Sequence, residues 1–424
     1  MHQAAHLDIN HLMEAQPLKF RANLRMWMWM CVMVGVMCFG GGLVYYPAKL
    51  FWGSFYVNLW FWTGLACGGV MATAIFQIVR AKWSPPIRRI AEANVAFLPY
   101  AFIGFLATYA GRGHLFPWAN QDMPGKTWWM QPDFVYARFT LLLAFLFFLM
   151  WRFVRMSLRS DVGVIRERAK SNERYLHPSY DGLVKGWQGE KQEVIAIQRR
   201  LSWNAPALVI AYALIYSLFV FEMLMGMDPI WYSNLFAAFI LIGNIYLAWS
   251  VIAFTSMRIA NNDAEFSKVL TSQQLWDLGK LNFGFCMLWG YMFFSQFLTQ
   301  WYGNLPEETA WMIVRTREMP WMGLGWVVFS LCFVVPFILL LSRDLKRTPR
   351  AYSAVAMIVF LGIWLEKYVI IMPNICESMI ALGFLDLGLF LGFLGAYVLS
   401  IQGFLSRYPF VPFSHPLARG SVEW

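Results

Sequence analysis

The sequence has no histidine inside any of its long apolar segments. Its six histidines all fall in tails or connecting stretches: His2, His6, His11, His114, His177 and His415. A haem held between two imidazoles inside a membrane needs histidines within the helices that flank it. The sequence therefore excludes a cytochrome b type of subunit.

Cysteine is scarce and never occurs at a metal-binding spacing. The chain has six cysteines, none of them in a Cys-x-x-Cys pair, and five lie within apolar segments. Iron–sulfur clusters, structural zinc and c-type haem all use closely spaced cysteine ligands. We therefore expect this chain to bind no redox cofactor and no metal ion of its own.

Charged residues are also few. Of 424 residues, 14% are charged and 59% are hydrophobic, and the hydrophobic residues form long continuous runs. Such runs predict an all-α integral membrane protein, because a helix satisfies its backbone hydrogen bonds within one segment. The net charge of +10 reflects basic residues that flank membrane segments and meet lipid, so no nucleic acid partner is expected. No cleavable signal peptide is expected either, since no apolar core precedes the first span.

About ten membrane-spanning helices are predicted. Their approximate bounds are 26–46, 57–79, 88–110, 134–155, 204–226, 234–257, 281–302, 321–342, 351–372 and 379–404. Lys and Arg concentrate in alternate connections, which places both termini in the cytoplasm and makes odd-numbered spans run outward.

An internal repeat is visible along the chain. Tyr56-Val57-Asn58-Leu59 and Tyr232-Ser233-Asn234-Leu235 open the second and sixth spans. Glu222 and Glu366 each stand seven residues before a proline, Pro229 and Pro373. Equivalent positions are four spans apart, so the sequence predicts two parallel four-helix bundles plus flanking helices.

This repeat divides the chain into eight parts. They are a cytoplasmic N-terminal tail (1–25), the first span and outer loop (26–56), spans two to four of the first four-helix bundle (57–155), a cytoplasmic charged loop (156–203), span five (204–229), the second four-helix bundle (230–373), span ten (374–405) and a cytoplasmic C-terminal tail (406–424).

Six ionisable residues fall within predicted spans: Glu92, Arg138, Glu222, Glu366, Lys367 and Asp386. All except Glu92 lie toward the outer half, and Asp386 is placed two turns inside span ten. A carboxylate held away from water binds and releases protons near neutral pH, so these residues are proton-transfer candidates. The alternative is an inert ion pair, such as Glu222 with Arg138, or Lys367 with a partner on an adjacent helix.

The seventh span carries a polar stripe. Ser295 and Gln296 are followed one turn later by Thr299 and Gln300. Ser295 and Gln296 are predicted to line a proton relay, although the same groups serve equally well as hydrogen bonds between helices.

The outer loop 111–133 offers a different chemistry. His114, Asp122 and Asp133 could accept the protons that quinol releases on oxidation. The alternative is that all three are simply solvated.

The segment Phe294–Thr309, which reads FSQFLTQWYGNLPEET, resembles the NrfD/PsrC-type membrane subunits. With ten spans in two four-helix units, the chain is most similar to the smaller, ActF-type membrane subunit of alternative complex III, a bacterial quinol:cytochrome c or quinol:oxidase oxidoreductase. The resemblance implies a larger NrfD-like sister subunit, an iron–sulfur subunit and subunits with c-type haems, in the bacterial inner membrane. A terminal oxidase is a further candidate partner.

In that family the quinol site is assigned chiefly to the sister subunit, which leaves this chain as a scaffold and proton-translocation subunit. Two other hypotheses remain open: a quinol-binding subunit that oxidises menaquinol or ubiquinol at its outer face, and a secondary transporter. Transporters usually show inverted repeats and interrupted helices, whereas the repeat here is parallel and the helices are expected to be unbroken.

Overall fold

The computed structural model describes residues 17–120, 128–168 and 173–415, and this part of the chain contains helices and no strand. Its ten long helices are α1 (Ala22–Tyr45), α2 (Ala48–Ile78), α3 (Pro85–Leu115), α4 (Pro132–Arg168), α5 (Glu190–Met227), α6 (Phe236–Ala260), α7 (Ser272–Gly303), α8 (Trp321–Leu341), α9 (Pro349–Asn374) and α10 (Phe384–Leu405). Within the described ranges, nine are long and apolar enough to cross a membrane. The prediction of an all-α integral membrane protein is confirmed.

The tenth, α7, has 32 residues and is long enough to span a bilayer. Polar side chains such as Asn282, Gln296 and Gln300 make it less apolar than the other nine. All three amides belong to the site described below.

Helices α4 and α5 extend well past their predicted ends. The charged stretch between them was expected to be mostly loop, but α4 continues to Arg168 and α5 already begins at Glu190. The stretch Glu190–Leu201 is rich in Glu, Gln, Arg, Ile and Ala, most of which are good helix formers. A small apolar cluster that includes Val162, Val194 and Phe413 packs these extensions against the C-terminal segment.

Helices α2 to α9 form two groups of four with the same pattern of packing. In the first group α2 packs on α3 and α5, and α4 packs on α5; in the second, α6 packs on α7 and α9, and α8 packs on α9. Corresponding helices are four apart along the chain. This arrangement agrees with the predicted parallel repeat.

The two groups meet mainly where α2 packs on α6. The helices approach closely at Gly68, where a Cβ would lie 2.3 Å from the backbone oxygen of Asn244. Helix α2 also contacts the segments around Glu222 and Glu366. The Tyr56 hydroxyl of α2 donates to the backbone oxygen of Met223. The Trp364 indole of α9 donates to Asn58 Oδ1 of α2 at 3.1 Å. Glu222 and Glu366 therefore lie at a similar depth.

Helices α1 and α10 flank this core and pack chiefly on each other. Their contact depends on Gly35 and Gly392, because a Cβ at Gly35 would lie only 2.3 Å from the Gly392 Cα. Small residues at such crossings let helix backbones approach inside a membrane.

Each span is one continuous helix, as expected, but three spans contain locally irregular turns. Helix α3 contains a 3-10 segment at Asn94–Phe97, and π-helical segments occur at Val220–Leu224 in α5 and Ser330–Val334 in α8. Such segments weaken the regular backbone ladder and are frequent at functional sites. The continuity of the helices and the parallel order of the two groups therefore both still argue against a transporter.

Candidate functional site

Of the two repeated glutamates, Glu222 and Glu366, Glu366 forms the more deeply buried ion pair. Its partner is Lys367, the next residue on α9. Lys367 has no exposed surface and Glu366 is 3% exposed. Lys367 Nζ donates to Glu366 Oε1, and the Trp289 indole of α7 donates to Glu366 Oε2 at 2.6 Å. On α6 the neighbouring residue is Gly243, whose absent side chain leaves space beside both carboxylate oxygens.

A set of buried polar groups leads from this pair toward the end of the bundle where α9 begins. Cys332, in the π-helical segment of α8, packs against Gly362, one turn before Glu366. Its backbone oxygen accepts from the Tyr246 hydroxyl at 3.2 Å and from the Cys286 thiol at 3.7 Å.

The set continues one turn further along α6 and α7. Ser250 donates to Asn282 Oδ1 at 3.1 Å, and the Asn282 amide donates to the Tyr352 hydroxyl at 3.2 Å. All three side chains are fully buried. The residues Cys332, Tyr246, Cys286, Ser250, Asn282 and Tyr352 form what we call the inner polar file.

Toward the other end, α7 continues the polar surface. Gln296 and Gln300 are 4% and 3% exposed, and they share a face with Trp289 because seven and eleven residues make about two and three helical turns. Neither amide atom of Gln300 has a hydrogen-bond partner in the described part of the chain. Ser295 is only half-buried. We call Gln296 and Gln300 the outer polar face.

Glu222 lies in the first group in a different kind of pair. It stands in the π-helical segment of α5, where it accepts from Arg138 of α4 and, at 2.9 Å, from the indole of Trp129. The Arg138 guanidinium also stacks over the Trp129 ring at 4.0 Å. This is the ion pair anticipated as the inert alternative.

Glu92 belongs to a buried ionic network near the end of the bundle where α3 begins. It pairs with Arg88 at 3.3 Å and also with Arg89, which in turn pairs with Asp161 of α4. Arg88 lies 3.0 Å from His415 Nε2 and donates to Gln77 Oε1 at 2.7 Å. The network joins α2, α3 and α4 to the C-terminal segment, which indicates a structural role.

His415 is enclosed within this network and 3% exposed. Burial, followed by the charges of Arg88 and Arg89, lowers the pKa of His415 well below its ordinary value. The histidine is therefore neutral at physiological pH.

Asp386 lies in the first turn of α10, so its predicted position two turns inside the span is wrong. The helix starts only at Phe384, after Gly383, and Asp386 Oδ2 accepts from the Gly383 backbone N–H at 3.0 Å. The carboxylate caps the helix start, a position where negative charge is favourable.

The described residues include two members of the predicted quinol site, His114 and Asp133. His114 is exposed at the end of α3, and Asp133 is exposed at the start of α4, where it accepts from Tyr109 at 2.6 Å. Asp122 lies outside the described residues. Between His114 and Asp133 the described coordinates contain no hydrogen bond.

Sequence reasoning missed the inner polar file, Asp161, His415 and Arg315. Asn282 stood inside the seventh predicted span and Asp161 shortly after the fourth, and their polarity was a usable signal. Arg315 gave no such signal in the sequence. Its side chain folds back on the end of α9 and donates to the backbone oxygens of Val369 and Ile370 at 3.0 and 2.9 Å.

No family model matches this chain, and no curated protein is similar to it. In the described ranges no three His, Cys, Asp or Glu residues are grouped as a metal site would require. The expectation of no cofactor remains a prediction.

Proposed function

We propose that this chain is the smaller NrfD/PsrC-type membrane subunit of a bacterial quinol-oxidising respiratory complex, and that it translocates protons through Glu366 and Lys367. The observation that carries the proposal is the enclosed pair on α9, which lies between the inner polar file and the outer polar face. The sequence resemblance of Phe294–Thr309 supplies the type of complex.

Lys367 is better suited to proton transfer than Arg138. A buried lysine changes its protonation state readily, whereas an arginine stays protonated in proteins. The Glu366–Lys367 pair can therefore exchange a proton internally, while Glu222 with Arg138 remains a fixed ion pair that clamps α4 to α5.

The transfer conserves charge at each step. Lys367 Nζ gives a proton to Glu366 Oε1, so that the ion pair becomes an amine and a carboxylic acid. The acid then releases that proton to water on one side, and the amine takes a proton from water on the other side. One proton has crossed the pair, and the original ion pair is restored.

The indole of Trp289 holds the Glu366 carboxyl group in one orientation during this exchange. Its N–H can donate to Glu366 Oε2 whether the carboxyl group is ionised or neutral, so it fixes the orientation of the group throughout. A Cβ at Gly243 would lie 3.7 Å from each carboxylate oxygen, so the glycine keeps this side of the group free of a side chain. Ser295 remains a predicted relay residue, although its half-buried position places it at the margin of the outer polar face.

The rest of the complex follows from the resemblance. We propose a larger NrfD-like sister subunit, an iron–sulfur subunit and c-type cytochromes as partners, and a terminal oxidase as a further one. This chain would hold no redox cofactor and would lie in the bacterial inner membrane with both termini in the cytoplasm. The predominance of Lys and Arg where α2, α4, α8 and α10 end supports that orientation.

Purification of the tagged chain from its native membrane tests the assignment. We expect stoichiometric co-purification of c-type haem, seen in reduced-minus-oxidised spectra, and of iron–sulfur signals in electron paramagnetic resonance. A chain that purifies intact without either chromophore, under mild detergent conditions, would contradict the assignment and favour a stand-alone transporter.

A further inference from the structure

A cavity of about 1260 Å³ opens at the end of the bundle where α10 finishes, on the side away from Glu366. Its walls come from α1, the irregular part of α3, the last membrane turns of α4, the segment 174–183 and α10. This volume exceeds the ~300–1,000 Å³ of a typical site for a drug-sized ligand. The cavity therefore suits a long ligand.

One part of the cavity wall is strongly basic. Among the residues that the structure describes, five cationic side chains and no Asp or Glu line the cavity: Lys19, Arg25, Arg155, Arg174 and Arg407. Arg155 and Arg174 are oriented by hydrogen bonds to the backbone oxygens of Gly182 and Ser406. The arrangement attracts an anion and is built from four separate parts of the chain.

The remaining wall is apolar and aromatic. It includes Trp29 of α1, Pro99 and Tyr100 of α3, Trp151 of α4 and Leu399 of α10. These residues lie on the membrane-spanning parts of their helices. Four of the cations lie at or beyond helix ends, and Arg155 lies within α4, where its long apolar run stops. The ligand therefore has an anionic head and an apolar tail.

Gln402 gives an independent indication that a polar ligand group belongs here. Its side chain lines the cavity and is 7% exposed, yet neither its amide nitrogen nor its amide oxygen has a partner among the described residues. A buried amide without partners is costly, so a ligand hydroxyl or ester group that bonds to it would be stabilising.

We propose that this cavity is a binding site for an anionic phospholipid. The headgroup phosphate binds Lys19, Arg25, Arg155, Arg174 and Arg407, the glycerol ester region reaches Gln402, and an acyl chain lies on the apolar wall. A quinol fits less well, because it is neutral and its oxidation needs a proton acceptor, which five cations do not supply.

Lipid titration of the intact, purified complex, followed by native mass spectrometry, tests the proposal. The probes are phosphatidylglycerol, phosphatidylcholine and inorganic phosphate. We expect saturable binding of one phosphatidylglycerol that phosphatidylcholine and inorganic phosphate do not displace. The variant Lys19→Gln/Arg25→Gln/Arg407→Gln should weaken this binding by about fivefold per removed charge. These three side chains are exposed, and the described structure shows no side-chain hydrogen bond from them that the fold would lose.

The matched control is Lys191→Gln/Arg199→Gln/Arg200→Gln, which removes the same charge from exposed positions on α5 outside the cavity. It should bind phosphatidylglycerol as the parent does. A second variant, Ala396→Trp, keeps all five cations and fills the apolar wall, and it should abolish binding. Leu141→Trp, at a position 73% exposed on α4, is its control.

Three results would overturn the proposal. The first is that the control triple variant weakens phosphatidylglycerol binding equally, which would indicate that binding depends on general surface charge. The second is that inorganic phosphate displaces phosphatidylglycerol and that Ala396→Trp still binds phosphatidylglycerol fully. Together these would indicate a site for a free anion. The third is a cross-link from position 396 to residues 1–16 or to another subunit instead of to a photoreactive phosphatidylglycerol.

Discussion

Lys367 donates to the carboxylate of Glu366, the residue directly before it, inside the membrane-spanning helix α9. The matching carboxylate, Glu222, takes its cation from a different helix, where Arg138 supplies it. Each glutamate also accepts from one tryptophan indole, Trp289 or Trp129. The two groups of helices thus share an indole-bound carboxylate but differ in whether its cation can lose a proton.

The crossing of α1 and α10 gives a prediction about packing. Gly35→Ala places a methyl group 2.3 Å from the Gly392 Cα, so the helices must separate. We expect the free energy of unfolding to fall by about 1–3 kcal/mol, as in other overpacked contacts. Thermal unfolding of the purified protein in detergent measures this. Gly41→Ala, with no atom within 4 Å of the added Cβ, is the control, and equal loss in both variants would refute the packing account.

Arg315 gives a prediction about the end of α9 near Glu366. Its guanidinium bonds to the backbone oxygens of Trp311, Val369 and Ile370 and to Asn374 Oδ1, all within 3.0 Å. Lysine cannot reproduce this fork, so Arg315→Lys should lose at least the ~1.5–3 kcal/mol of one charged hydrogen bond.

Hydrogen exchange at residues 369–374 measures the effect, and we expect faster exchange in Arg315→Lys. The exposed neighbour Arg317 provides the control, because Arg317→Lys keeps a solvated charge at the same end of the molecule. Unchanged exchange in Arg315→Lys would mean that the guanidinium does not hold the helix end.

His415 gives a prediction about pH. Its pKa is lowered in the folded state, so the unfolded or undocked segment binds the proton more readily. Docking of residues 408–415 is therefore strongest above the ordinary histidine pKa of 6.5 and weakens as the pH falls below it. The facing groups are Arg88, Arg89 and Gln77, with Glu92 and Asp161 paired to the arginines.

Limited proteolysis of the C-terminal segment between about pH 7.5 and about pH 5.5 tests this dependence. Accessibility should rise by at most about tenfold per pH unit, the limit for one proton. His415→Gln should remove the dependence, whereas His177→Gln, at an exposed histidine, should retain it. A parent protein with no change over this range would contradict the account.

The helical membrane fold and its repeat were predictable because they depend on local patterns. Long apolar runs predict spans directly, and the paired spacings Glu222/Pro229 and Glu366/Pro373 marked two equivalent regions. The Glu222–Arg138 pair was among the alternatives, since two opposite charges at similar depth in adjacent spans have few other partners.

Contacts between distant segments were not predictable from these patterns. Nothing near His415 indicates that the C-terminal segment returns to Arg88, a separation of 327 residues. The inner polar file depends on Ser250, Asn282 and Tyr352, which meet only because α6, α7 and α9 pack together. The start of α10 was misplaced because apolar residues precede it, and apolar character alone does not locate a helix end.

Proton release per electron tests the proposed role of Glu366 and Lys367 most directly. It is measured in sealed vesicles during quinol oxidation by the complex proposed above. Glu366→Gln and Lys367→Met should each lower this ratio while quinol turnover continues, and Glu222→Gln, which alters the fixed pair, should leave it unchanged. An unaltered ratio in both α9 variants, with assembly and turnover intact, would contradict proton translocation through this pair.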